Sequence, residues 1–383
     1  MLKKQFLLLA CLLLLPAMAQ ANSGRPAAKM PLQEESLPAL DIMLGSMLML
    51  GFQGITLAPD DPFLKAVEAG HVGHVILFDT NVAPDAPKGA RNIVNRKQVA
   101  TLTASLRKAA GNRPMFIAID QEGGQVNRLK PGHGFTYVAS ARAMGQKDPS
   151  ATGEVAQRLG KELHSVGINV NFAPVVDVDA NPDNPAIGKL GRSFGSDAGQ
   201  VAAHAQAFAN GLAQAGVIPT LKHFPGQGCA STDSHLGLTD ISACFEGGRD
   251  LLPYAEAIRN GFKGMIMPGH LMHRGMDGTY PASLSKTVVT GLLRQGLGWR
   301  GVVVSDDLQM EAISKYHLLE ESMRLAIEAG VDILLLVNNQ KYSPTLHTTA
   351  FAALAGLVSS GQVSEERIAQ SYRRIKALFG TLR

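Results

Sequence analysis

Long apolar runs are scarce in this 383-residue chain, and so are cysteines and any surplus of charge. The one extended hydrophobic stretch opens the chain, in MLKKQFLLLACLLLLPAMAQA: Lys3 and Lys4 precede an apolar run from Phe6 to Leu15, and small residues end at Ala19-Gln20-Ala21. A basic n-region, an apolar h-region and an A-x-A site predict a signal peptide over residues 1–21, cut after Ala21. The run falls short of the ~20 apolar residues of a membrane-spanning helix, so no span is expected once the leader is removed. Lipoprotein anchoring through Cys11 would leave a shorter apolar region still, and a periplasmic or secreted location is expected. Basic residues number 36 against 32 acidic ones, and two of the lysines leave with the leader. So even a charge balance gives no sign of a nucleic-acid partner or of binding to an anionic membrane surface. After cleavage only Cys229 and Cys244 remain. In an exported chain such a lone pair is a candidate disulfide, and this one brackets Asp233 and His235.

What is present is a regular alternation. Residues 22–40 are polar with two prolines and read as a tether, and from residue 41 to 383 short apolar runs alternate with amphipathic segments. The short runs cover 48–52, 74–78, 115–120, 168–176, 217–224, 264–270, 301–307 and 332–339. Between them, stretches such as NIVNRKQVATLTASLRKAA and GQVAAHAQAFANGLAQAG repeat apolar residues at helical spacing and end near glycine. Eight strand-like runs alternating with helices predict an α/β fold, a (β/α)8 TIM-like barrel forming a single catalytic domain. The roughly 360 residues left after cleavage fit such a barrel. Asp120, Asn171, Lys222 with His223, His270, Asp306 with Asp307, and Asn338 each close a different apolar run. In a parallel barrel those ends share the face that carries the active site, although strand-end polar residues can also serve as plain turn formers.

A strand-end aspartate with no cationic partner in sequence, as in VVVSDDLQM, suits a carboxylate that stabilises or attacks a cation-like carbon. Cleavage of a glycosidic bond requires such a group, because its transition state resembles an oxocarbenium ion. One of Asp306 and Asp307 is expected to cap the helix that follows. In TDSHLG, Asp233 stands two residues from His235, so its carboxylate can hold one imidazole nitrogen while the other faces a leaving group.

DQEGGQVNRL (120–129), NFAPVVDV (171–178), GRSFGSD (191–197), LKHFPGQG (221–228), TDSHLG (232–237), IMPGH (266–270) and VVVSDDLQM (302–310) together resemble the bacterial β-N-acetylglucosaminidases of glycoside hydrolase family 3. The resemblance implies an exo-acting, retaining β-N-acetylhexosaminidase acting on small oligosaccharides such as peptidoglycan or chitin fragments. It implies Asp306 as nucleophile, His235 as acid/base assisted by Asp233, and a sugar held by Asp120, Arg128, Arg192, Lys222 and His223. No metal or cofactor is expected, and the protein is expected to act as a monomer. The chain departs from the family pattern at Gln227, where KHFPGHG is common, and in a longer segment before Arg192. After residue 340 only helical pattern remains, so the sandwich domain of the family's β-glucosidases is not expected.

Other readings stay open. The scaffold is compatible with a β-glucosidase or a glycoside phosphorylase, since residues alone fix neither the sugar nor the acceptor. His223, His235, His270 and Asp306 could in principle surround Zn²⁺, but LMLGFQG offers no histidine pair on the first strand. Lys222 could serve a Schiff-base aldolase. The SDD aspartates superficially suit a substrate-assisted hexosaminidase. A non-catalytic exported sugar-binding barrel would be expected to lose Asp306, Asp233 or His235 first.

Overall fold

Strands buried on both faces are written as unbroken aliphatic runs, and here eight of them make one parallel sheet. The computed structural model describes residues 37–233 and 237–382, and the unit it builds starts at Pro38. Its strands are β1 (Leu48–Gly51), β2 (His74–Leu77), β3 (Ile117–Ile119), β4 (Val170–Asn171), β5 (Ile218–Phe224), β6 (Met265–Pro268), β7 (Val302–Val303) and β8 (Leu334–Leu336). Each pairs in parallel with its neighbours in chain order, and β1 returns to β8 in the register Leu48↔Leu334. A parallel bridge between Val304 and Ile333 closes β7 onto β8 and completes the predicted (β/α)8 barrel.

Alternation along the strands sorts the core into two layers. Met49, Ile76, Ala118, Val170, Met265 and Leu335 point into the barrel, while Leu48, Leu50, Val75, Ile117, Val303 and Leu334 pack outward beneath the helices. The helices start where short polar side chains cap them. Asp61 accepts from the Phe63 amide at 2.8 Å, Asn95 from Gln98 at 3.0 Å and Asp197 from Gln200 at 2.7 Å. These open helices Pro62–Ala69, Arg96–Ala110 and Ala198–Gln214. The fourth run is shorter than its apolar residues suggest: only Val170–Asn171 is strand, because Pro174 brings no amide donor, and pairing resumes at a bridge between Val175 and Lys222. Beyond β8 come two helices, Leu346–Ser359 and Glu365–Phe379.

Residues 1–21, the expected leader, and residues 22–36 lie outside the described residues, and a helix, Leu40–Ser46, begins at the tether's expected end. No described helix is long and apolar enough to cross a membrane. Cys229 and Cys244 are bonded, with Cα atoms 5.7 Å apart, at the two feet of the loop that leaves β5.

Candidate active site

The first functional segment is shaped by a side chain that never reaches the cavity. Just past β3, Gln121 is fully buried; its Oε1 accepts from the Arg128 and Leu129 amides at 2.9 and 3.0 Å, and its Nε2 donates to Asn127 at 2.6 Å. Asn171 at the end of β4 grips the Gln121 backbone from below, accepting from its N–H at 3.0 Å and donating to its carbonyl at 2.9 Å. Gly123 makes the turn at φ 100°, where a Cβ would stand 2.3 Å from the Ala139 carbonyl. The hairpin so fixed presents Asp120, Glu122 and Arg128 to one cavity, with the Arg128 guanidinium 4.8 Å from the centre of the Phe78 ring.

From the end of β5, Lys222 reaches across the barrel mouth to Asp120 at 2.8 Å and Glu122 at 2.7 Å. Glu122 also takes Arg192 in a fork, Nε at 2.8 Å and Nη2 at 2.9 Å, and Arg192 Nη1 donates to the Ala186 carbonyl. Both ends of this fork are buried, at 8% and 6% side-chain exposure, so the pair interacts without water to screen it. Burial alone would raise the Glu122 carboxyl, but the charges and hydrogen bonds of Arg192 and Lys222 overcome it and hold the group far below the usual carboxylate range. For Lys222, burial pulls downward and is outweighed by Asp120 and Glu122, so its ammonium is kept charged above its ordinary value. That state opposes the Schiff-base reading of Lys222, which needs a neutral amine. The neighbouring His223 is oriented by Asp177, whose carboxylate lies 2.8 Å from Nδ1 and also accepts the Gln227 amide at 2.7 Å.

The β7 end supplies the aspartate pair, and here one expectation fails. Neither Asp306 nor Asp307 caps the next helix, Glu311–Ser314, which starts after Met310 with no side-chain cap. Asp307 instead accepts from the Val337 amide at 3.0 Å and the Gln309 amide at 3.1 Å, stitching the ends of β7 and β8, while Asp306 Oδ1 accepts from the Asp307 amide at 2.8 Å. Behind them Arg91, fully buried, donates to Val337 O at 2.6 Å and Phe52 O at 2.9 Å; burial lowers its pKa to about 10.

Asp120, Arg128, Arg192, Lys222, His223, Asp233 and Asp306 all line this one cavity of about 290 Å³. His235 lies outside the described residues. Three strand-end polar residues turn out to be scaffolding: Asn171 as above; His270, whose ring nitrogens lie 2.6 Å from Ser283 Oγ and 2.9 Å from the Asp307 carbonyl; and Asn338, which brackets Ser343. Sequence reasoning passed over Glu122, Asp177 and Arg91. The first two stand inside motifs already singled out, two residues after Asp120 and within NFAPVVDV, whereas Arg91 carries no local signal.

Over residues 39–378 the chain matches the Glycosyl hydrolase family 3 N terminal domain. It is 34% identical over 375 residues to Beta-hexosaminidase A of Pseudoalteromonas piscicida, covering 88% of this chain and 60% of that protein. The fold aligns at a TM-score of 0.81 and 38% identity with a glycoside hydrolase family 3 beta-N-acetylglucosaminidase from Paenibacillus sp. str. FPU-7, covering 90% of this chain and 63% of that one. It aligns at 0.78 and 32% identity with a Beta-N-acetylhexosaminidase from Beutenbergia cavernae DSM 12333, covering 90% of this chain and 100% of that one. The chain thus spans less than two thirds of the first two relatives.

Proposed function

The chain belongs to glycoside hydrolase family 3, and on that footing we propose that it is an exported, retaining exo-glycosidase that removes terminal β-linked N-acetylglucosamine from oligosaccharides such as peptidoglycan or chitin fragments. The observation that carries this reading is the meeting, in one cavity, of Asp306 and Asp233 with the Asp120–Lys222–Glu122–Arg192 chain of alternating charge.

In the proposed mechanism Asp306 attacks the anomeric carbon as its bond to the leaving oxygen breaks, and His235 gives that oxygen its proton. A covalent glycosyl-enzyme on Asp306 results, and His235 then takes a proton from the water that releases the sugar. Asp233 holds the imidazole for both steps. Asp120 accepts from sugar hydroxyls. Lys222 has two of its three N–H groups on Asp120 and Glu122, which leaves the third to donate to the sugar. Arg128 and Arg192 supply further donors around the ring, and His223, whose Nδ1–H is held by Asp177, offers it Nε2.

The test is trapping with a 2-fluoro glycoside followed by peptide mapping. A single glycosyl adduct on Asp306 is expected, and an active enzyme that forms no adduct would point to substrate-assisted chemistry instead. Paired nitrophenyl substrates, N-acetyl-β-glucosaminide against β-glucoside, with and without phosphate, separate the hexosaminidase reading from the glucosidase and phosphorylase ones.

A further inference from the structure

A second cavity of about 530 Å³ opens at the other end of the barrel, where β6 and β7 begin, against the last helix. Its size is within the ~300–1,000 Å³ of small-molecule sites. The floor is aromatic. Phe262 and Trp299 lie with ring centres 5.7 Å apart, each over a glycine that leads into a strand. A Cβ on Gly264 would stand 2.3 Å from the Phe262 ring, and one on Gly301 would stand 2.3 Å from the Trp299 ring. Both rings therefore depend on bare backbone beneath them, and Trp299 Nε1 donates to the Val302 carbonyl at 3.3 Å.

The wall is cationic. Among the described residues, Lys263, Arg300, Arg373 and Arg374 line the cavity and no aspartate or glutamate does. Arg373 has an exposed partner in Glu366, but Lys263 and Arg300 are exposed and make no ion pair among the described residues. Arg374 leads into a deeper cluster around Asp332, which is fully buried and approached by Arg294 at 2.7 Å, Arg374 at 2.9 Å and Arg367 at 3.7 Å. Three guanidinium groups share that single carboxylate, so the cluster keeps an excess of two positive charges beside an apolar floor.

We propose that this cavity is a second binding site, for a free amphipathic anion: one phosphate or carboxylate group borne on an apolar body. The apolar body lies against Phe262 and Trp299, and the charged group meets Lys263, Arg300 and Arg374. The site is at the opposite end of the barrel from Asp306, so its occupancy can be read apart from turnover.

Trp299 is the only tryptophan in the chain, so its fluorescence reports directly on this cavity. Titration of the full-length protein with dodecyl phosphate below its micelle concentration is expected to shift or quench that emission saturably. Dodecanol and inorganic phosphate, each carrying half of the chemistry, should act at least about ten-fold more weakly, the worth of a charge-assisted contact or of a few buried methylenes. Lys263→Gln with Arg300→Gln should weaken dodecyl phosphate about ten-fold while leaving glycosidase kcat/KM unchanged; Asp306→Ala should bind it as the native chain does. No emission change, an equal response to dodecanol, or unaltered affinity in the double variant would overturn the proposal. A response confined to phosphatidylglycerol vesicles would also overturn it, in favour of a bilayer-docking face.

Discussion

Replacing Glu122 by glutamine changes little in volume and removes the one carboxylate shared by Arg192 and Lys222. In the native chain it takes three charge-assisted contacts of 2.7 to 2.9 Å, at 6% exposure. The amide oxygen of glutamine can serve one of those donors, and its NH₂ group then faces the others. Two buried cations are left, Lys222 still on Asp120 at 2.8 Å and Arg192 attracted through space by Asp177 and Asp120, and loss of one partner of such a pair costs about 3–5 kcal/mol. The acid dependence follows in sign from the depressed carboxyl. Glu122 stabilises the fold fully above its ordinary pKa of 4.5, because the unfolded chain takes up the proton first as the pH drops, and the contribution fades toward the lower folded value. Guanidinium unfolding of native and Glu122→Gln protein at pH 7, 5, 4 and 3 should show a gap of about 3–5 kcal/mol at the first two values. Below that, the gap should narrow by about 1.4 kcal/mol per pH unit. A gap below about 1 kcal/mol at pH 7, the worth of an exposed pair, or one that keeps its size down to pH 3, would show that Glu122 does not hold the two cations in this way.

Asp306→Ala should abolish turnover with near-native stability, whereas Asp307→Ala, which strands the Val337 and Gln309 amides, should cost about 1–3 kcal/mol in stability; a greater loss of turnover from Asp307→Ala than from Asp306→Ala would reverse the assignment. His235→Ala should slow natural disaccharides by about 10²–10⁴-fold and a nitrophenyl glycoside far less, with Asp233→Ala a weaker version of the same pattern; equal losses on both substrates would contradict an acid/base role. Paired Cys229→Ser and Cys244→Ser changes open a bridge with a sequence separation of 15, worth about 3 kcal/mol in the chain-entropy model. Mild reduction of native protein should lower activity more than melting temperature, and two free thiols in unreduced protein by mass spectrometry would rule the bond out.

The strands were legible because a barrel strand, covered by helices outside and by its fellows inside, has no face that needs a polar residue. Val75-Ile76-Leu77 and Leu334-Leu335-Leu336 could hardly be read otherwise. Lys222, His223, Asp120 and Asp306 were legible for the converse reason, as ionisable groups interrupting such runs at one end. What the sequence hid is pairing across distance. Glu122 meets Arg192 70 residues away, Asp177 meets His223 across 46, and Arg91 bonds Val337 across 246. Each of these pairings exists only once the sheet has closed, and no local pattern announces it. The capping role expected at Asp306 and Asp307 went wrong in the same way, since one of the amides that claim Asp307, that of Val337, lies just past β8.

The described lining of the active-site cavity also has a net sign. Asp120, Glu122, Asp233, Asp306 and Asp307 contribute five carboxylates, against three cations from Arg128, Arg192 and Lys222. In a partly enclosed, poorly screened cleft that imbalance acts as an electrostatic filter over roughly a Debye length, ~8–10 Å at ordinary ionic strength. A neutral sugar ring passes it at no cost, and so does water. On the proposed mechanism Asp306 is spent as the glycosyl ester, so an incoming phosphate dianion would meet four carboxylates against three cations; the field is expected to favour water over phosphate as acceptor, which the assays with and without phosphate check.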